Sequence, residues 1–195
     1  VLGAYHNVIN HVTHLYSAMS GMVRKGGFRY PGLIESAFCI GDLTVEVIAD
    51  GCHLPVEILE MVYRLKGPEK VALTCDSMRC AGQNVKESVL GSLKNGQRVI
   101  IEDDVAKMPD RTAFAGSIAT DDRLVRVMYH WARVPLWDCV RMMSLTPASI
   151  MGLADQVGSI MPGKTANLIS FDEDIRVNGV MVQGSVVFGS FGAGK

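Results

Sequence analysis

The stretch TVEVIADGCH, Thr44 to His53, constrains the fold more than any other part of this chain once it is read together with the two segments after it. Its apolar, β-branched run stops at a polar tip, Asp50-Gly51-Cys52-His53, so it reads as a strand entering a turn. LPVEILEMVYRLKG comes next, with Ile58, Leu59, Val62 and Leu65 on one face of a 3.6-residue period and Gly67-Pro68 as a stop. KVALTCDS then gives a second buried strand that ends at another polar tip, Asp76-Ser77. Two strands joined through a helix need a crossover of a dozen or more residues, which makes them parallel. The chain is therefore expected to be an α/β protein.

The segments around this unit differ in character. HVTHLYSAM, near the start, reads as a strand ending near His14. Residues of about 87–113 carry strand-like runs punctuated by Asn95-Gly96 and Asp103-Asp104, and read as a β-hairpin excursion. TDDRLVRVMYHWARV and LWDCVRMMSL read as helices, with Asp121 and Asp122 favouring the first turn of the former. PASIMGLA reads as a further short helix. The tail ANLISFDEDIRVNGVMVQGSVVFGSF alternates, carries Asn178-Gly179, and reads as two or three antiparallel strands. At 48% hydrophobic and 20% charged residues, the 195-residue composition is that of a folded chain. A net charge of −1 provides no field to recruit nucleic acid, and no apolar run reaches membrane-spanning length. Five cysteines, odd in number and without a C-x-x-C pair, point to a reducing, cytoplasmic setting.

GSIMPGKT, Gly158 to Thr165, satisfies G-x-x-x-x-G-K-[ST], the pattern of a phosphate-cradling loop. Such a loop joins a buried strand to a helix whose N-terminal N–H groups face the phosphates. Here a helix precedes and a strand, ANLISF, comes after, and Pro162 removes one N–H. The segment reads as a tight turn into the β tail.

Polar residues just past the ends of parallel strands are where α/β enzymes place their chemistry. Thr13-His14, Asp50 to His53 and Thr74-Cys75-Asp76 form three such tips. Two imidazoles and a carboxylate are the groups needed to hold a metal, polarise a carbonyl and take a proton from water. Each also has a structural reading, as a hydrogen-bonded histidine or a helix-capping aspartate. His11 and His14 would face opposite sides of a strand, so a shared metal is not expected of them. His130 reads as a surface or seam residue of its helix. Cys52 and Cys75 read as small packing residues, since no basic partner is adjacent in sequence.

Seven segments, THLYSAM, RYPG, IADGCH, LTCDSM, FAGS, LTPASIMGL and GSIMPGKTANLISFD, run in an order that resembles the N-acetylglucosamine-6-phosphate deacetylases of the amidohydrolase superfamily. The resemblance covers nearly the whole chain. It implies the C-terminal part of a (β/α)8 barrel, with the last strands of a small β-sandwich. Residues 1–157 would be the partial barrel with its excursion, and 158–195 the β tail.

By the same resemblance His14 is similar to a metal ligand, and His53 to the histidine that binds substrate and stabilises the attacked carbonyl oxygen. Asp76 is similar to the general acid/base. Arg29 resembles an arginine on the sugar phosphate, sometimes reached across a dimer interface, and a homodimer is expected. Ser17 and Ala18 fall where the family contacts the phosphate end of its substrate, and Ser17 stands where the family usually has Asn. VLGAYHNVIN lacks G-H-[ST]-x-A, so His6 is not the family's earlier histidine ligand. The implied cofactor is a divalent metal ion, zinc or iron. The implied substrate is an amino-sugar phosphate, with no nucleic-acid or membrane partner. Two other readings stand beside this one: an amidohydrolase of N-acyl amino acids or cyclic amides, and a non-catalytic scaffold or fragment.

Overall fold

The computed structural model describes residues 3, 5 and 9–191, so the expectation for His6 and the last four residues of the tail lie outside the described residues. Three short parallel strands form the centre: β1 (His11–Val12), β4 (Thr44–Ile48) and β5 (Val71–Thr74), in the order β1-β4-β5. Val45 pairs with Val12 on one side and Val71 on the other, and Ile48 pairs with Thr74. Between β1 and β4 lie a small antiparallel hairpin, β2 (Val23–Lys25) with β3 (Phe28–Tyr30), and helix α1 (Leu33–Cys39). The β4–β5 pair is parallel and linked by helix α2 (Val56–Lys66), as the apolar pattern requires. The described residues form a mixed α/β fold without a closed barrel.

Helix α2 departs from the expected stripe in an informative way. Leu59 and Val62 are buried at 1% and 0% exposure, but Leu65 is turned out to solvent, and Lys66 is buried in its place. The Lys66 ammonium reaches under α1 and donates to the carbonyls of Ala37 (3.0 Å), Ile40 (3.2 Å) and Gly41 (3.3 Å). Ala37 lies in the last turn of α1 and Ile40 and Gly41 just past it, where a cation also meets the negative end of the helix dipole; the Ile40 carbonyl accepts the Leu43 N–H as well, and that of Gly41 the Lys70 ammonium. Burial, joined by the charge of Lys70, lowers the Lys66 pKa against the pull of Asp42. Gly67 then stops the helix with φ +76°, a conformation that favours glycine. Lys66→Met keeps the stem and removes the donor. It is expected to lower stability by about 1–3 kcal/mol, the usual cost of leaving buried polar groups unpaired. Urea unfolding curves of the two proteins check this.

After β5 the chain leaves the sheet. The strands β6 (Glu87–Leu90), β7 (Gln97–Glu102), β8 (Val105–Lys107) and β9 (Phe114–Ser117) form a four-stranded antiparallel meander. The expected hairpin is thus part of a larger sheet. Asp103-Asp104 makes its two-residue β7–β8 turn, with φ +51° and +59°. Helix α3 (Asp121–Arg126) comes next and widens into a π-helical turn over Val127–Trp131. Helices α4 (Leu136–Met143) and α5 (Leu145–Ile150) complete the layer. Leu124, Met128 and Met142 join Val45, Val47, Val62 and Val71 in one core, each at 0–1% exposure. Burying a side chain of this size favours folding by roughly 1.5–3 kcal/mol.

The tail forms a separate antiparallel sheet of β10 (Leu168–Phe171), β11 (Val177–Val182) and β12 (Ser185–Gly189). Asn178-Gly179 lies inside β11, paired with β10 and β12, and the reversal falls at Gln183-Gly184. The GSIMPGKT segment sits between α5 and β10, helix before and strand after. Its Lys164 is tied to the chain itself, donating to the Ala154 carbonyl and to Ser159 Oγ (2.6 Å for the latter). A lysine spent on its own loop is not presented to a phosphate.

Candidate functional site

The parallel register brings three of the expected residues to one end of the central sheet. His14 lies two residues past β1, His53 five past β4, and Asp76 two past β5. β1 ends at Val12, earlier than expected, and the chain turns sharply, with φ +30° at His14, +80° at Tyr16 and +52° at Ala18. Asp76 also has positive φ, +43°. Such backbone costs of order 1–3 kcal/mol per non-glycine residue and persists where the surrounding structure over-determines it.

The His14 Nδ1 atom is buried and has no hydrogen-bond partner among the described residues. That suits a ligating imidazole, because a buried ring nitrogen without a partner is otherwise costly. Among the described residues, however, no group of three or more His, Cys, Asp or Glu side chains is placed to hold a metal ion. His14 fits as one ligand and the described residues supply no complete set. His11 is held by Thr44, whose Oγ1 lies 2.7 Å from its Nδ1; its Nε2 is 3.3 Å from Glu46 and, like His14 Nδ1, makes no hydrogen bond among the described residues. Ser17 is half-buried, and its N–H closes a turn onto the His14 carbonyl at 2.9 Å. Ala18 is exposed beside it, and Asp76 is exposed with no hydrogen bond among the described residues.

His53 is the most tightly held of the group. Its Nδ1 lies 2.7 Å from Oδ2 of Asp50, which is fully buried. Asp50 Oδ1 accepts the backbone N–H groups of Cys52 (2.9 Å) and His53 (2.8 Å). Burial alone would raise the Asp50 carboxyl. The ring hydrogen bond, the two N–H donors and the imidazole charge together hold it below the usual aspartate range. Phe114, from β9 of the meander, lies against the His53 ring with centroids 5.1 Å apart and planes tilted by 57°. Trp131 covers the turn. A methyl group built on Gly51, at φ +81°, would lie 2.6 Å from Trp131 Cζ3, so only glycine fits. Asp50 as partner of His53, Phe114 and Trp131 were not among the residues expected from sequence. The Asp-x-x-His spacing is a signal for the first, but the other two come from segments remote in the chain.

Cys52 has a basic neighbour after all, the Arg123 guanidinium at 3.6 Å. Burial and the Asp50 charge still push its thiol up, with Asp104 adding to them, so it is not a poised nucleophile. All five cysteines are free thiols. Arg29 lies on β3 of the exposed hairpin, away from the strand tips in sequence, and faces Arg24 directly across the pair. No helix among the described residues is long and apolar enough to cross a membrane.

Polar groups at the tips of parallel strands stand where α/β enzymes place their sites. Residues 1–187 match the amidohydrolase family, and the chain belongs to that family. Among its relatives is the N-acetylglucosamine-6-phosphate deacetylase of Bacillus subtilis, 32% identical over 179 residues, which are 92% of this chain and 43% of that protein. The N-acetylgalactosamine-6-phosphate deacetylase of Escherichia coli O157:H7 is 27% identical over 90% of this chain and 44% of its own length. A solved structure of a mutant N-acetyl-D-glucosamine-6-phosphate deacetylase from Mycobacterium smegmatis, in complex with N-acetyl-D-glucosamine-6-phosphate, is 28% identical. It superposes with a TM-score of 0.84 over 95% of this chain and 47% of that one. The chain therefore spans less than half the length of these relatives.

Proposed function

We propose that this chain carries the C-terminal, proton-transferring part of an enzyme that hydrolyses the acetamide of an amino-sugar 6-phosphate to the free amine and acetate. The observation that carries the reading is the placement of His14, His53 and Asp76 on successive tips of adjacent parallel strands. The names of the relatives point to the same reaction class.

In this reading Asp76 takes a proton from the attacking water and later gives it to the leaving amine. His53, in its protonated form, donates from Nε2 to the carbonyl oxygen and steadies the charge that develops there. His14 would supply one ligand to a divalent ion, zinc or iron, whose other ligands would come from outside the described residues. When bound, such an ion lowers the pKa of water. Arg29 would pair with the sugar phosphate. Its direct opposition to Arg24 leaves two guanidinium groups side by side on a short exposed hairpin. Like charges so placed repel, and a bound dianion would relieve the repulsion. Ser17 and Ala18 would line the same end of the substrate, and the expected assembly is a homodimer.

N-Acetylglucosamine 6-phosphate is the first substrate to test. Its galacto epimer is the second, because relatives of both kinds each match about nine-tenths of this chain. The complete polypeptide that carries these residues is expected to release acetate from one or both, and far more slowly from the unphosphorylated sugars. Acetate release that ignores the phosphate, or occurs only from N-acyl amino acids, would sink this reading.

A further inference from the structure

We infer that Asp50 is a positioning residue that locks His53 into the Nδ1–H form and presents its Nε2 to whatever binds at the strand tips. Three observations carry this. Asp50 is fully buried, and both its oxygens are committed, Oδ1 to two backbone N–H groups and Oδ2 to the imidazole. A carboxylate can only accept, so the ring nitrogen at 2.7 Å must be the one that carries hydrogen. Phe114 also packs against the ring from the side. Nε2 makes no hydrogen bond among the described residues, so it is the nitrogen left to meet a ligand.

The arrangement has a chemical consequence. With the proton fixed on Nδ1, a neutral His53 offers a lone pair at Nε2. On protonation the same atom becomes a donor. Nε2 can then answer developing negative charge without the ring having to turn. The neutral form with hydrogen on Nε2 and a bare Nδ1 facing a carboxylate is excluded. The consequence for turnover rests on the deacetylase reading; the tautomer does not.

The test is an imidazole ¹⁵N–¹H correlation spectrum of the full chain, recorded at a pH where the ring is neutral. Native His53 is expected to show its hydrogen on Nδ1, and a native ring carrying it on Nε2 would overturn the proposal without any variant. Asp50→Asn supplies the second arm. Asparagine keeps an oxygen for the two backbone N–H groups but turns an NH₂ group towards the ring. The hydrogen is then expected to move to Nε2 while the backbone amide spectrum stays in place. A variant that folds and keeps the native imidazole pattern would also overturn the assignment. In the complete polypeptide the same substitution is expected to cut kcat by about tenfold or more with KM nearly kept, the scale on which partners that orient a histidine matter. An unchanged kcat would remove the positioning role. A chain without deacetylase activity leaves the spectra unaffected, so this inference and the proposed function fail separately.

Discussion

Asp76→Asn in the complete polypeptide is expected to lower kcat by about 10²–10⁴-fold, the range that positioned acid–base groups supply. Binding of the phosphorylated sugar should be nearly kept. Asparagine is the right replacement for a structural reason. Asp76 sits at φ +43°, and asparagine shares with aspartate a tolerance for that region which alanine lacks. The side chain is exposed and makes no hydrogen bond among the described residues, so the exchange removes an acid/base without breaking a contact. Acetate release gives kcat, and circular dichroism shows whether the fold is kept. A well-folded variant with near-native kcat would take Asp76 out of the mechanism.

The second large effect is expected at Arg29. Arg29→Ala should raise KM for the 6-phosphate substrate by roughly tenfold to a hundredfold, since a charge-assisted hydrogen bond contributes about 1.5–3 kcal/mol. The unphosphorylated sugar should be almost unaffected. Stability should not suffer, because the exchange removes a repulsive pair with Arg24 on a hairpin whose residues all face solvent. The ratio of KM values for the two substrates is therefore the clean readout. Equal changes on both would show that Arg29 does not meet the phosphate.

How much the sequence discloses here depends on the range of the forces involved. The β4–α2–β5 unit was legible because its strands carry β-branched apolar residues that stop at polar tips: Val45, Val47 and Ile48 are buried in β4 on either side of a half-exposed Glu46, and Val71, Ala72 and Leu73 form a continuous buried run in β5. The helix between was legible as a helix, but not which residue completes its buried face. Periodicity assigns Leu65 to the core. Lys66 turns inwards instead, onto the carbonyls of Ala37, Ile40 and Gly41 at the C-terminal end of α1, and that meeting is visible only in three dimensions.

Turn chemistry was partly legible. Asp103-Asp104 makes its turn, while Asn178-Gly179, an equally good local signal, is absorbed into β11 by pairing on both sides. The widening of α3 at Val127–Trp131 left no mark in the apolar pattern. At the candidate site, the strand tips could be read from where apolar runs stop. The Asp50–His53 bond needs the left-handed backbone of Gly51 between them, and the wall formed by Phe114 comes from a strand of the separate meander. Neither can be deduced from local spacing.

The indole over Gly51 gives this protein an optical sense of its own site. The chain has two tryptophans. Both are exposed, Trp137 at the start of α4 at 73% and Trp131 at 59%, but Trp131 alone of the two lies in contact range of Gly51 in the Asp50–His53 turn. Any ligand that draws the turn inwards or stiffens it changes the polarity and the quenching felt by one indole and leaves the other as an internal reference. Occupancy at the strand tips can thus be followed by intrinsic emission, with Trp131→Phe as the silent control and no label attached to the protein.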